Sequence, residues 1–243
     1  MTPFFADLRQ TLVPARGSKD GPLPPLLVAL TFVTGLVDAF SYLVLGHVFV
    51  ANMTGNVVFL GFALAGAPGF SIGASCTALA LFALGALVGG RLGHRFGSNR
   101  GHLLSSAAAL QAVLVAVSVV LAAVSGANVA SGARYGLIVV LAAAMGIQNA
   151  AVRRLAVPEL TTTVLTMTMT GIAADGVLAG GSGSKAGRRL IAVAAMFLGA
   201  LAGAICVLHV RIEAPLAIAV TVLIGVAAAT VALGRRDPTW SNG

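Results

Sequence analysis

Six stretches of the chain carry almost no charge and are each close to the length that crosses a bilayer: Leu26–Leu45, Ile72–Leu92, Leu103–Val124, Arg134–Ala151, Leu190–His209 and Leu216–Leu233. A spanning helix needs about 20 predominantly apolar residues. Helices suit lipid because they satisfy every backbone N–H and C=O internally. Charged residues make up only 9% of the 243, against roughly 25% in a soluble domain. The fold class that follows is an all-α polytopic membrane protein. The first run is too long for a signal-peptide core and has no small-residue cleavage site behind it, so it reads as a retained anchor. The net charge of +8 then belongs to loops facing anionic headgroups and gives no ground for nucleic-acid binding. Cys76 and Cys206 sit inside apolar segments, without metal spacing or disulfide logic.

Two segments interrupt this pattern. In His47–Asn56, HVFVANMTGN, polar residues and a glycine break the first apolar stretch. Val48–Ala51 reads as extended chain, and Thr54-Gly55-Asn56 as the start of a short helix that fades near Ala67-Pro68. In the second half, Leu160–Thr170 alternates Thr with apolar residues, which suits an extended chain, followed by a short helix over Gly171–Leu178. Non-helical backbone survives in lipid only where protein or a water-filled cavity satisfies it. Such breaks are therefore expected to build a solute site.

The halves match in residues as well as in order. GLVDA at Gly35–Ala39 aligns with GIQNA at Gly146–Ala150, MTG at Met53–Gly55 with MTG at Met169–Gly171, and LGALVGG at Leu84–Gly90 with LGALAGA at Leu198–Ala204. The offsets are 111, 116 and 114, so the matches are collinear. Gly85, Gly89, Gly199 and Gly203 have the spacing that lets membrane helices approach closely. The expected organisation is an N-terminal tail (1–25), a first repeat (26–124), a linker (125–132), a second repeat (133–233) and a C-terminal tail (234–243).

Charge decides how the breaks sit. If both crossed completely, nine Lys and Arg would face the cytoplasm and six the outside. If both dip in and return, leaving six spans, 13 face the cytoplasm and only Arg134 and Arg211 the outside. Orientation follows the Lys/Arg bias of short loops, which favours the second arrangement with both termini cytoplasmic. Three spans per repeat is odd, so the expectation is a 3+3 inverted repeat with two broken or re-entrant half-helix segments, a plan that recurs in secondary transporters.

Asp38 is the sharpest polar signal. A carboxylate deep in a span costs about 2.5–3.5 kcal/mol and is usually functional or paired. It is read either as a proton- or cation-coupling group or as a hydrogen-bonded residue tying the span to the break. Asn149, beside Gln148, stands at the matching position of the second half. Thr54, Gly55, Asn56, Thr170 and Gly171 are placed at half-helix starts, where free N–H groups favour anionic or polar partners; simple capping by Thr54 and Thr170 is the alternative. Asn52, Thr166 and Thr168 add neutral donors and acceptors. Asp175 is expected to pair with Arg188 or Arg189. Gly181–Ser184 reads as a linker, and Arg153 and Arg154 as topology anchors with a gating role open. No Walker loop, His-Glu metal motif or dinucleotide fingerprint occurs, and no catalytic or metal residue is assigned.

With these motifs in hand, the chain resembles the YoaK-type family of bacterial inner-membrane proteins, a family built on a domain of unknown function. The resemblance rests on TFVTGLVDAFSYLVLGHVFVANMTGNVVFLG at Thr31–Gly61, and on GIQNAAVRRL at Gly146–Leu155 with the later TMTMTG. It runs from about Leu26 to Leu233 and implies six spans in the bacterial inner membrane, but no substrate and no catalytic residues. The leading expectation is a small-solute secondary transporter or permease, its site lying between the two breaks and coupled through Asp38. The rivals are an uncoupled channel or facilitator, and a non-transport membrane partner or assembly protein. An enzyme is not expected, since no nucleophile–base constellation is visible. Gly-rich spans allow a homodimer.

Overall fold

A computed structural model describes residues 3–15, 17–97, 99–126, 129–163, 165–176, 179–181, 185–237 and 239–241, with the side chains of 3, 4 and 165 also outside the description. Arg16, parts of both expected linkers (127–128 and 182–184) and residues 177–178 of the expected second short helix lie outside the described residues.

The described residues form nine helices and no strand: α1 Pro3–Leu12, α2 Leu23–Val44, α3 Met53–Leu64, α4 Ile72–Arg95, α5 Arg100–Ser125, α6 Ser131–Leu155, α7 Leu165–Ala174, α8 Ala186–His209 and α9 Ala214–Arg236. The six long ones have 22 to 26 residues and are apolar enough to cross a membrane. Local chemistry sets their ends. Proline stands in the first turns of α2 and α9, where its missing N–H is not needed. Ser71 and Asn99 accept from the backbone N–H of Ala74 and His102 and so cap α4 and α5. Ala156 closes α6 in the left-handed conformation.

Two sequence expectations change. The polar N-terminal tail contains α1, which packs on α8. The alternating run Leu160–Thr170, expected to be extended, is helical from Leu165. Hydrogen-bond satisfaction in lipid outweighs the β tendency of alternating Thr and Met. The buried position Thr168, flanked by exposed Met167 and Met169, fits a helix lying on one stripe.

The two halves exchange partners. The most extensive contacts are α4 with α6 and α2 with α8, followed by α5 with α9. The contacts at the glycines repeat residue by residue. A Cβ on Gly35 would run into the backbone of Met196 and Ala200, and one on Gly146 into Phe82 and Ala86, the counterparts at the 114 offset. A Cβ on Gly85 would meet the carbonyl of Ala143, and one on Gly199 the carbonyl of Phe32, the counterparts at the 111 offset. Gly89 against Ile147 and Ala150 matches Gly203 against Leu36 and Ala39. A pseudo-twofold axis therefore relates α2–α8 to α4–α6.

Helix ends show the direction of each span. The Arg100 guanidinium, at the start of α5, donates to Asp20 before α2 (3.3 Å) and to the Leu155 carbonyl at the end of α6 (2.9 Å). Its backbone N–H donates to Ser241, beyond α9. Arg188, at the start of α8, reaches Asp20 at 3.9 Å, and Gly93, near the end of α4, packs on Arg154. All six of these ends share one face. At the other face, Gly46 after α2 backs onto Arg134, and Ser71 before α4 lies 3.5 Å from Tyr135 at the start of α6. The segment 45–71 thus leaves and rejoins the same face, and so does 156–185 on the opposite one. Both are re-entrant, the halves are inverted, and of the described Lys and Arg only Arg134 and Arg211 belong to the less basic face.

Because these carbonyl contacts leave no room for a side chain, Gly85→Val and Gly199→Val are expected to destabilise the protein similarly, each by about 3 kcal/mol or more. Gly136→Ala and Gly225→Ala, where nothing lies within 4 Å, serve as neutral controls. Thermal unfolding of the detergent-purified variants reads the difference, and a tolerated Gly199→Val would break the pseudo-twofold packing.

Candidate functional site

The first re-entrant segment is fastened by two side chains. The chain turns at Gly46 and His47, both with positive φ, and runs back along α2 without helical bonds until Met53. Three backbone N–H groups on this stretch are met by side-chain oxygens. Asp38 Oδ1 accepts from Val50 N (3.2 Å) and Ala51 N (2.9 Å), while Oδ2 accepts from Asn52 Nδ2 (2.6 Å). Asn56, buried on α3, accepts from Phe49 N (2.9 Å) and donates to Phe49 O (2.6 Å). Asp38 is therefore fully engaged in tying α2 to the break.

Thr54 lies exposed in the first turn of α3 and does not cap it; Asn52 occupies the N-cap position with its side chain turned to Asp38. Gly55 leaves room for the Phe49 ring, which a Cβ would approach to 2.7 Å. That ring stacks between Tyr42 (5.1 Å) and Phe59 (5.6 Å), and Phe59 continues to Phe62 and Phe70. His47 joins the cluster against Tyr42 and Phe70.

The second segment repeats the fastening with different chemistry. Thr163 donates to Asn149 Oδ1 at 2.8 Å, across the same 14-residue separation as Asn52 and Asp38. Asn149 Nδ2 donates to the Met145 carbonyl. The sequence motifs do not single out Thr163, yet the 111 offset that pairs Asp38 with Asn149 also pairs Asn52 with it. Arg189 supplies a clasp. It donates to both carboxylate oxygens of Glu159 (2.8 and 3.0 Å) and to the Gly171 carbonyl, and it pairs with Asp175 at 2.8 Å. Gly171 gives the guanidinium its seat. Thr170 stands in mid-helix, so it is not a cap. Thr166 and Thr170 are exposed and Thr168 is buried.

Between the two fastenings lies a buried chain. Gln111 donates to Gln148 (2.8 Å), and Gln148 donates to Thr34 (2.9 Å), one turn before Asp38. The hydrogen-bonded chain comprises Gln111, Gln148 and Thr34; the hydroxyl of Thr34 donates to the Leu30 carbonyl, while Asn149 and Asp38 bond within their own fastenings. The re-entrant helices themselves stay apart among the described residues: α3 packs on α4 and α7 on α8. The two breaks thus stand apart as two half-sites, with the Gln111–Gln148–Thr34 chain buried between them.

The half-sites differ in openness. On the basic side, a cavity of about 930 Å³ lies between α4, α6 and the segment 156–163. Asn149 and Thr163 line it, together with Thr161, His94, Arg153 and Arg154. Asn149 is six residues from the end of α6, about 9 Å deep along the helix. Of the residues assigned to the solute site from the sequence, Asn149 lines this cavity, and so do Arg153 and Arg154, the expected topology anchors. At the 111 offset, Arg153 corresponds to Tyr42 and Leu160 to Phe49, so aromatic rings occupy the equivalent place on the other side.

Six membrane-length helices, inverted halves and two re-entrant segments define a multi-pass all-α membrane protein. The chain belongs to the family described as "Protein of unknown function (DUF1275)", which matches residues 26–229. It is similar to the UPF0700 transmembrane protein YoaK of Bacillus subtilis (strain 168), with 34% identity over 150 residues. That match covers 62% of this chain and 65% of YoaK, so it spans slightly less than two thirds of the relative's length. No solved structure matches the chain.

Removing the Asp38 acceptors is expected to strand two backbone N–H groups, so Asp38→Ala should cost about 2–4 kcal/mol of stability. Asp38→Asn keeps one acceptor oxygen and should cost less than half as much. Equal losses in thermal unfolding would show that the retained acceptor oxygen carries no weight. The Arg189 hydrogen bond holds the Glu159 carboxyl below its usual range. Its stabilising effect is present above the ordinary carboxylate pKa and is lost as pH falls through the depressed value. Glu159→Gln should flatten this acid limb of a stability–pH curve, and an unchanged limb would remove Glu159 from the clasp.

Proposed function

We propose that this protein is a small-solute secondary transporter or permease of the bacterial inner membrane, with both termini and the basic face cytoplasmic. The observation that carries the reading is the unequal state of two equivalent half-sites. One opens through a cavity to Asn149 and Thr163; its counterpart is filled by Tyr42, Phe49 and Phe59 around the Asp38 fastening. In inverted-repeat transporters, exchange of the two halves' conformations alternates access to a central site. In this scheme the path that opens between the half-sites passes the buried polar side chains of Gln148 and Thr34.

Asp38 supplies a coupling step in this scheme. Taking up a proton or a cation weakens its acceptance of the Val50, Ala51 and Asn52 donors, loosens the first re-entrant segment and lets the aromatic rings part. Neutral donors at Asn52, Thr54, Asn56, Thr166, Thr168 and Thr170 come into play as the segments move. The protein's role is passage of solute, not chemical conversion of it.

Single cysteines on a Cys76→Ser/Cys206→Ser background test alternation. In proteoliposomes, Ala150→Cys is expected to react with a membrane-impermeant thiol reagent from the basic face. Its counterpart Ala39→Cys should react from the opposite face only when Asp38→Asn or Phe49→Ala loosens the plug. Reaction of Ala39→Cys at full rate without those changes would refute a closed far side. Flux of no charged or neutral solute above that of empty vesicles would remove transport altogether.

A further inference from the structure

We infer that the cavity on the basic face binds a small anion bearing a carboxylate or phosphate group, held by Arg153 and Arg154 with the Thr161 hydroxyl and the Asn149 amide N–H as neutral donors. This rests on the reading of that cavity as the solute site and names the class of solute it takes. The argument is a charge census. The chain has seven Asp and Glu, all among the described residues, and none lines the cavity. Each is engaged elsewhere. Asp7 accepts from the Arg188 backbone and Asp20 pairs with Arg100 and Arg188. Asp38 holds the first break. Glu159 and Asp175 share Arg189, Glu213 pairs with Arg211, and Asp237 accepts from Thr239.

Two exposed arginines thus line one cavity with no carboxylate of this chain to neutralise them, and among the described residues neither has an ion pair. Guanidinium groups match carboxylate and phosphate in bidentate geometry. A pocket with low-dielectric walls and one sign of charge concentrates the opposite ion. The counterpart residues of the other half argue that the arrangement is specific to this side. Arg153 and Arg154 correspond to Tyr42 and Leu43, and His94 to Leu208 at the 114 offset, so pseudo-symmetry alone does not place cations here. At the deep end Thr163 fixes the Asn149 amide by donating to its Oδ1, and the second Nδ2 hydrogen of Asn149 is a donor to the anion without a competing charge.

The test is thermal unfolding of the full-length purified protein, titrated separately with inorganic phosphate, acetate and succinate, with choline and glycerol as controls. A phosphate on a lipid headgroup offers the same chemistry as a free anion, so dihexanoyl phosphatidylglycerol forms a further arm. At least one free anion is expected to raise the midpoint. Arg153→Gln and Arg154→Gln should weaken that effect roughly ten- to hundredfold, as loss of a charged hydrogen bond does, with Arg153→Lys intermediate. Arg211→Gln, on the opposite face, should leave it unchanged.

Binding by none of the anions, equal binding of choline or glycerol, or arginine variants that bind as the parent does would overturn the inference. So would a response to the phospholipid alone, which would make the arginines headgroup anchors. An anion that binds but does not cross proteoliposomes leaves this inference standing and removes transport; flux of choline without anion binding does the reverse.

Discussion

The close approach of α2 to α8 and of α4 to α6 sets the geometry on which the rest of the protein depends. Lipid tails are as apolar as leucine, so helices gain little by hiding apolar faces from them, and association rests on packing at short range. Gly35, Gly199 and Gly203 bring α2 and α8 into backbone contact, as Gly85, Gly89 and Gly146 bring α4 and α6. The two contacts are copies, and each joins one half of the chain to the other. Each of these helix pairs is thus completed only across the two halves.

That scaffold leaves a second constraint to be met locally. Each re-entrant segment carries backbone groups without helical partners, and in a membrane they must find others. The first half uses an acceptor with two oxygens, Asp38, together with Asn56, which pairs with both the N–H and the C=O of Phe49. The second half uses the neutral Asn149–Thr163 pair and moves its charge outward to Arg189, Glu159 and Asp175. The same scaffold thus holds one segment by a buried carboxylate and the other by an ion-pair clasp near the basic face. The side chains nearby follow suit, aromatic around the first and cationic around the second. Near-symmetry in the backbone with asymmetry in the side chains gives two half-sites that differ in openness.

The sequence was readable where a signal depends on composition or collinear repetition. The six spans, the position of the first break, the three repeated motifs and the pairing of Asp175 with an arginine of α8 follow from those signals. Where Thr alternates with Met and Leu, periodicity misled, because alternation within ten residues does not show whether water or lipid surrounds the backbone. The MTG repeat misled in a related way. Met53 opens α3, whereas Met169 lies four residues inside α7, so equal letters stand at unequal positions of their helices. Thr163 was hidden because the local motif match carries an offset of 116, while the helix that its hydroxyl faces carries 111.

The sequence by itself determined a membrane-embedded helical protein, its duplication and its charge-biased topology, because hydrophobic length, repeated letters and Lys/Arg placement are properties of the chain read in one dimension. Only the tertiary structure decided which groups Asp38 satisfies, that Arg189 holds both ends of the second segment, and that one half-site is open while the other is filled. Those outcomes depend on residues from distant helices meeting at hydrogen-bond distance. The meeting is set by backbone packing at the glycines, and no local pattern records it.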